Sequence, residues 1–133
     1  MAPSEQVRIL PTEWVGTWVG ATWGAAITPH HPKFHTHGHL EHEWHGVTVE
    51  ATISILRQEG RSLELVIGSS GHESKAVGAL SSDGRRLVVV TQEHTYHVSI
   101  DGNEMTGQGE CRAHGSDRSD SFSAAMVEFT ALT

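Results

Sequence analysis

The most chemically loaded stretch of the chain is a run of imidazoles near its N-terminus. Seven of the 11 histidines fall between residues 30 and 45: His30, His31, His35, His37, His39, His42 and His45. If residues 34–45 are extended, their side chains alternate faces. One face then carries His35, His37, His39, Glu41, Glu43 and His45. The other carries Phe34, Thr36, Gly38, Leu40, His42 and Trp44. Imidazole is the commonest ligand for zinc, iron, copper and nickel, and carboxylates complete many such sites. His35, His37, His39 and Glu41 are therefore the candidate set for a divalent transition metal. Two other readings stand beside it. The stripe could line a ligand pocket without metal, or it could be a solvated loop. The parity of His45 continues into Val47, Val49 and Ala51, the apolar face of the next strand. The stripe is thus expected to run into whatever cavity that strand borders.

A second candidate lies far along the chain. His97 alternates with Thr95 and Ser99, and Tyr96 takes the opposite face. If the His97 face points inward, its imidazole becomes an acid–base or binding group, with Thr95 and Ser99 as polar lining. The plain alternative is a buried histidine that is simply hydrogen-bonded. Glu41, His45 and His97 make up the catalytic candidates. Trp14 and Trp18 share a parity and Trp23 opposes them. Trp14, Trp18, Trp44 and Tyr96 are candidates for an aromatic wall, which suits flat or polyene ligands. Core packing is the default for at least one of them. Glu128 is expected on an outer face, and Cys111 reads as a small strand residue. No nucleophile elbow, phosphate loop, dinucleotide glycine pattern or zinc-finger spacing occurs, which sets aside serine-triad hydrolases, kinases and nicotinamide enzymes.

These residues must be positioned by strands. The 133 residues are one domain's worth, and no long segment has helical periodicity. Runs rich in Val, Ile, Thr and Trp alternate instead with turn residues. Strands are expected near 13–23, 47–56, 63–67, 75–80, 86–91, 95–100, 105–112 and 122–132. The run from Val47 to Ile55 alternates cleanly, so one face is buried and one meets water. Asp101-Gly102 is a strong hairpin signal, and Gly107 and Gly109 suggest close backbone approach. Short strands joined by short turns predict an all-β, single eight-stranded antiparallel up-and-down barrel, in which closure removes exposed edges. Residues 1–10 read as a loose leader and residues 11–133 as the barrel. Residues 24–46 are too long for a hairpin turn, and such connections are often functional.

Lys and Arg total 9 against 16 Asp and Glu, a net charge of −7 with histidine neutral. That balance argues against nucleic acid and anionic membranes, which need clustered cations. No apolar run approaches the roughly 18–20 residues needed to span a bilayer. The N-terminus lacks the pattern of a secretory signal, and the single cysteine excludes an internal disulfide framework. The expected location is the cytoplasm.

Gly16-Thr17-Trp18 on the first strand, followed by an antiparallel meander, resembles the lipocalins and avidin-like barrels of the calycin group. The resemblance covers the architecture of nearly the whole chain through a motif of three residues. It implies that Trp18 closes one end of the barrel over the cavity floor, that the cavity takes a small hydrophobic or amphipathic molecule, and that barrels pair as homodimers. Some small calycin-like barrels in specialised metabolism act as cyclases on polyene or polyketide chains. The surface for pairing would include Val88, Val90, Val98 and Ile100 if the inner face is the odd-numbered one. Gly16-Thr17-Trp18-Val19-Gly20 also resembles the opening of haem-binding nitrobindin barrels, although no proximal ligand segment matches. His35-x-His37-x3-Glu41 resembles the first metal motif of cupins, but its flanking glycines are misplaced and no second motif follows. The leading expectation is a small-molecule-binding barrel, either a carrier or a metal-free cyclase or isomerase working by proximity and shape. The alternative is a histidine-ligated metalloenzyme. A third reading, a pure interaction module, would need apolar strand faces turned outward.

Overall fold

Alternation of apolar and polar residues over short runs forces extended chain, and eight such runs pair in sequence order until the last meets the first. The computed structural model describes residues 7–24, 43–69, 71–112 and 122–132. Its strands are β1 (Glu13–Gly24), β2 (Glu43–Glu59), β3 (Ser62–Ser69), β4 (His72–Leu80), β5 (Arg86–Val90), β6 (His94–Asp101), β7 (Glu104–Arg112) and β8 (Phe122–Ala131). They form one closed antiparallel barrel in the order β1 to β8. Trp14 of β1 pairs with Ile53 of β2 on one side and Ala131 of β8 on the other. The expected all-β up-and-down barrel is the fold observed, and no described residue is helical.

Tight turns set the strand registers. Gly60 and Gly102 sit in the left-handed region at φ 63° and 61°, which turns the chain between β2 and β3 and between β6 and β7 without a Cβ penalty. Between β5 and β6, Thr91 Oγ1 accepts hydrogen bonds from the backbone of His94 at 2.9 Å and Glu93 at 3.2 Å. Val89 therefore pairs with Tyr96, an odd residue with an even one. This turn switches the inward parity from odd on β5 to even on β6.

The core is concentrated at one end. Leu10, Trp14, Leu63, Leu80, Ile100 and Met105 are all buried there, with Trp14 1% and Met105 0% exposed. Residues 7–10, expected within a loose leader, are held against this end. Leu10 N donates to Gln58 Oε1 at 3.0 Å, Gln58 Nε2 donates to the Arg8 carbonyl at 2.7 Å, and Val7 packs on the core. Gln58 faces inward because of a bulge between Ile55 and Arg57 that leaves Leu56 on the surface, 56% exposed. The segment thus seals the closed end. Residues 1–6 lie outside the described residues.

Candidate functional site

Inward-facing positions change character along the barrel axis. Toward the closed end they are fully buried: Ile53, Ile55, Leu65, Val98, Val127 and Phe129. Toward the other end Trp18, Gly20, Thr22, His45, Val47, Val49, Ile67, Ser74, His94 and Ser123 are only half-buried although they point inward. That half of the interior, the cup, is thus less completely buried than the packed floor, whereas the hollow of about 560 Å³ lined by Val19, Ala21, His97, Gln108, Ala124 and Met126 lies on the outer wall.

One wall of the cup is aromatic and polar. Trp18 Nε1 donates to Tyr96 Oη at 3.2 Å. The His94 ring stacks on Tyr96 at a centroid distance of 5.7 Å and 13° between planes, and meets Trp18 edge-on at 6.5 Å and 87°. Trp18 lies on β1 and the other two on β6, with β8 and β7 between them. Small residues on β7 let the rings lie along the wall. A Cβ added at Gly109 would come within 2.3 Å of the Tyr96 ring, and one at Gly107 within 2.1 Å of the His97 carbonyl oxygen. Both glycines mark the close approaches expected from the sequence. Thr91 fixes His94 at the start of β6, and burial of the imidazole pushes its pKa below the ordinary value, opposed only by the charge of Glu93. His94 is therefore a neutral donor and acceptor at pH 7.

Nearer the mouth, Thr22 pairs with His45 on β2 and with Ser123 on β8. Thr22 Oγ1 and His45 Nε2 are both buried. The Thr22 hydroxyl makes no hydrogen bond with any described residue. The facing wall of β2 and β3 is apolar, formed by Val47, Val49 and Ile67. Among the strand residues whose side chains are described, no Asp, Glu, Lys or Arg takes an inward position; Glu43, which precedes His45 on β2, is not among them.

Several sequence-based candidates fall elsewhere. His97, Thr95 and Ser99 point away from the interior, and His97 is exposed on the outer wall. The parity switch at the β5–β6 turn is the reason: Tyr96, Val98 and Ile100 take the inside. Val98 and Ile100 are consequently core residues, 5% and 4% exposed, rather than surface for pairing, whereas Val90 is on the outside at 42%. Trp44 faces outward, 68% exposed, beside its cross-strand partner Trp23. Trp14 is sealed in the closed-end core with Nε1 donating to the Pro11 carbonyl at 2.7 Å, so Trp14 and not Trp18 plugs the floor. Tyr96 and Trp18 do face the cup, and His45 continues the inward parity of Val47 and Val49. Glu128 is exposed, as expected. His35, His37, His39 and Glu41 lie outside the described residues. Among the described residues no group of three or more His, Cys, Asp and Glu could hold a metal ion.

Sequence reasoning missed Thr22, His94 and Ser123. The signal for the first was available, since Thr22 shares the parity of Trp14 and Trp18. For His94 it was the apolar alternation Tyr96, Val98, Ile100, which continues back to residue 94. Comparison with protein-family models, with curated proteins and with solved structures finds no match for this chain. Among the described residues no helix is long and apolar enough to cross a membrane.

Proposed function

We propose that the protein binds a small hydrophobic or amphipathic molecule inside the open half of a calycin-like barrel, as a carrier or as a cyclase or isomerase. One observation carries this reading. Inward-facing apolar and aromatic side chains, Trp18, Val47, Val49 and Ile67, remain accessible to solvent at one end of a barrel whose other end is packed solid. Apolar surface lining a concavity, with a few convergent polar groups, is the usual composition of a small-molecule site. In an enzymatic version the rigid wall would hold a flexible substrate in a reactive fold. Among the described residues His94 and His45 would then be the imidazoles nearest the substrate, and His97 would have no part.

The test is a titration with Nile red, an uncharged dye that brightens in apolar surroundings. Saturable binding with one dye per chain is expected, abolished by Val47→Trp, which fills the mouth, and unaffected by Met126→Ala on the outer wall. Binding that ignores Val47→Trp would remove the cup from the account.

Two expectations are carried as proposals beside this one. The single cysteine supports a reducing, cytoplasmic setting. Exposed Val19, Trp23, Trp44 and Met126 on the outer wall of β1, β2 and β8 support a homodimer. Light scattering should then give twice the 14.4 kDa chain mass, and a mass of 14.4 kDa rejects pairing.

A further inference from the structure

Two neighbouring rows of residues cross the outer wall of the barrel and differ in size. The register aligns Val19, Met126 and Gln108 in one row across β1, β8 and β7. The next row toward the cup end holds Ala21, Ala124 and Glu110. In the first row Met126 is 60% and Val19 46% exposed, so the two project as a ridge. In the second, Ala21 and Ala124 reach one carbon from the backbone. Ridge and alanines border the outer hollow of about 560 Å³, and Gln108, Glu110 and His97 form its other side. We propose that this wall is an isologous interface, on which a second copy of the chain docks about a two-fold axis that crosses the strands between the two rows. The proposal rests on the pairing reading above and gives it a face and a register.

Each ridge residue has its complement two residues along its own strand, about 7 Å away. A two-fold axis across the strands reverses their direction and lays each strand on its own copy. Met126 then seats over Ala124 of the other copy and Val19 over Ala21, and the same contacts recur on the far side of the axis. Self-complementarity of this kind is what a second copy needs and a foreign partner does not. An axis running along the strands would instead set ridge on ridge, Met126 against Val19. Charge points the same way. Each chain carries −7, so two copies meet at least cost where the contact is neutral and carboxylates stay apart. Val19, Ala21, Ala124 and Met126 are uncharged. Glu110 meets the Gln108 amide of the other copy and not the second Glu110. Glu128, exposed on β8 beyond the ridge, lies about 10 Å from the axis and therefore about 20 Å along the wall from its copy. That is beyond the screening length of about 8 Å at physiological salt. An axis along the strands would bring the two Glu128 side chains to the same level.

The experiment exchanges ridge and groove on β8, with sedimentation equilibrium of the full chain reading the dimer dissociation constant. Ala124→Met sets the new side chain against Met126 of the other copy and is expected to raise that constant about tenfold or more. The double variant Met126→Ala/Ala124→Met swaps projection and hollow, and is expected to return the constant to within about threefold of wild type. Val19→Ala/Ala21→Val, against Ala21→Val alone, is the same exchange on β1 and replaces the β8 pair if those variants do not fold. A dimer that Ala124→Met leaves unchanged would overturn the proposal and put pairing on another face. A dimer that Ala124→Met weakens and the double variant does not restore would overturn the register. A wild-type mass of 14.4 kDa would overturn the proposal and the pairing reading together.

Discussion

The two halves of the barrel are built from the same strands and do opposite things with their inward faces. Around the closed end, large apolar side chains interdigitate until Leu65, Met105 and Trp14 have essentially no exposed surface. The N-terminal segment is laid over them and held by Gln58. Four inward positions further along β1, the same parity delivers Thr22, half-buried, and β2 delivers His45 and Val47. A single alternation therefore serves stability at one end and accessibility at the other. The switch comes at the level of Trp18, where rings lean along the wall over glycines instead of filling the centre.

This division predicts very different costs for substitutions of the same kind. Trp14→Ala should destabilise the fold by about 3–5 kcal/mol, because it opens a cavity that the sealed end cannot collapse into. Val49→Ala in the cup should cost about 1 kcal/mol or less, since its side chain is already partly solvated. Chemical denaturation reads both, and equal losses would erase the distinction between floor and cup.

A smaller effect is expected where the rings meet the wall. Gly109→Ala would place a Cβ 2.3 Å from the Tyr96 ring, so the ring must move or the strand must bend. A loss of about 1–3 kcal/mol is expected, together with a change in indole emission as Trp18 loses its partner. Unchanged stability and emission would mean that the ring has room to spare. Tyr96→Phe removes the acceptor of the Trp18 N–H, at a cost of about 1 kcal/mol by the same denaturation assay.

The smallest effect follows from pH. His94 in the unfolded chain takes its proton near the ordinary value of 6.5, and in the fold only at a lower pH because burial disfavours the cation. Between those two values the unfolded chain holds more protons, so His94 lowers stability as pH falls below 6.5. The contribution is fully present above that point. His94→Phe should flatten this part of the stability profile. An unchanged slope in the variant would assign the acid sensitivity to other groups.

The sequence disclosed the barrel readily because the inward residues of most strands are apolar and the outward ones are not. Val47 to Ile55 is legible on sight, and Asp101-Gly102 marks its hairpin without ambiguity. The site was less legible because it depends on which way each strand faces after each turn. The three-residue connection 91–93 exchanges odd for even, which puts Tyr96 and His94 inside and His97 outside. Chemistry also misled where packing should have decided. The polar trio Thr95, His97, Ser99 looked like a site, while the apolar trio Tyr96, Val98, Ile100 was the one that had to be buried. The same weighting placed Trp44 in the cup, although its parity opposes that of His45 and Val47. The bulge at Leu56 was hidden because nothing local in Ile55-Leu56-Arg57 announces an extra residue.

The proposed function requires ligand to enter the barrel and not to settle on the apolar outer wall, and the four tryptophans tell these apart. Trp18 faces the cup, Trp14 is sealed beneath it, and Trp23 and Trp44 face outward. The decisive measurement is quenching of tryptophan fluorescence by all-trans-retinol in Trp18→Phe and in the double variant Trp23→Phe/Trp44→Phe. Saturable quenching should be largely lost in the first and retained in the second. Quenching that persists without Trp18 and disappears without Trp23 and Trp44 would contradict the central claim and put the ligand on the outside of the barrel.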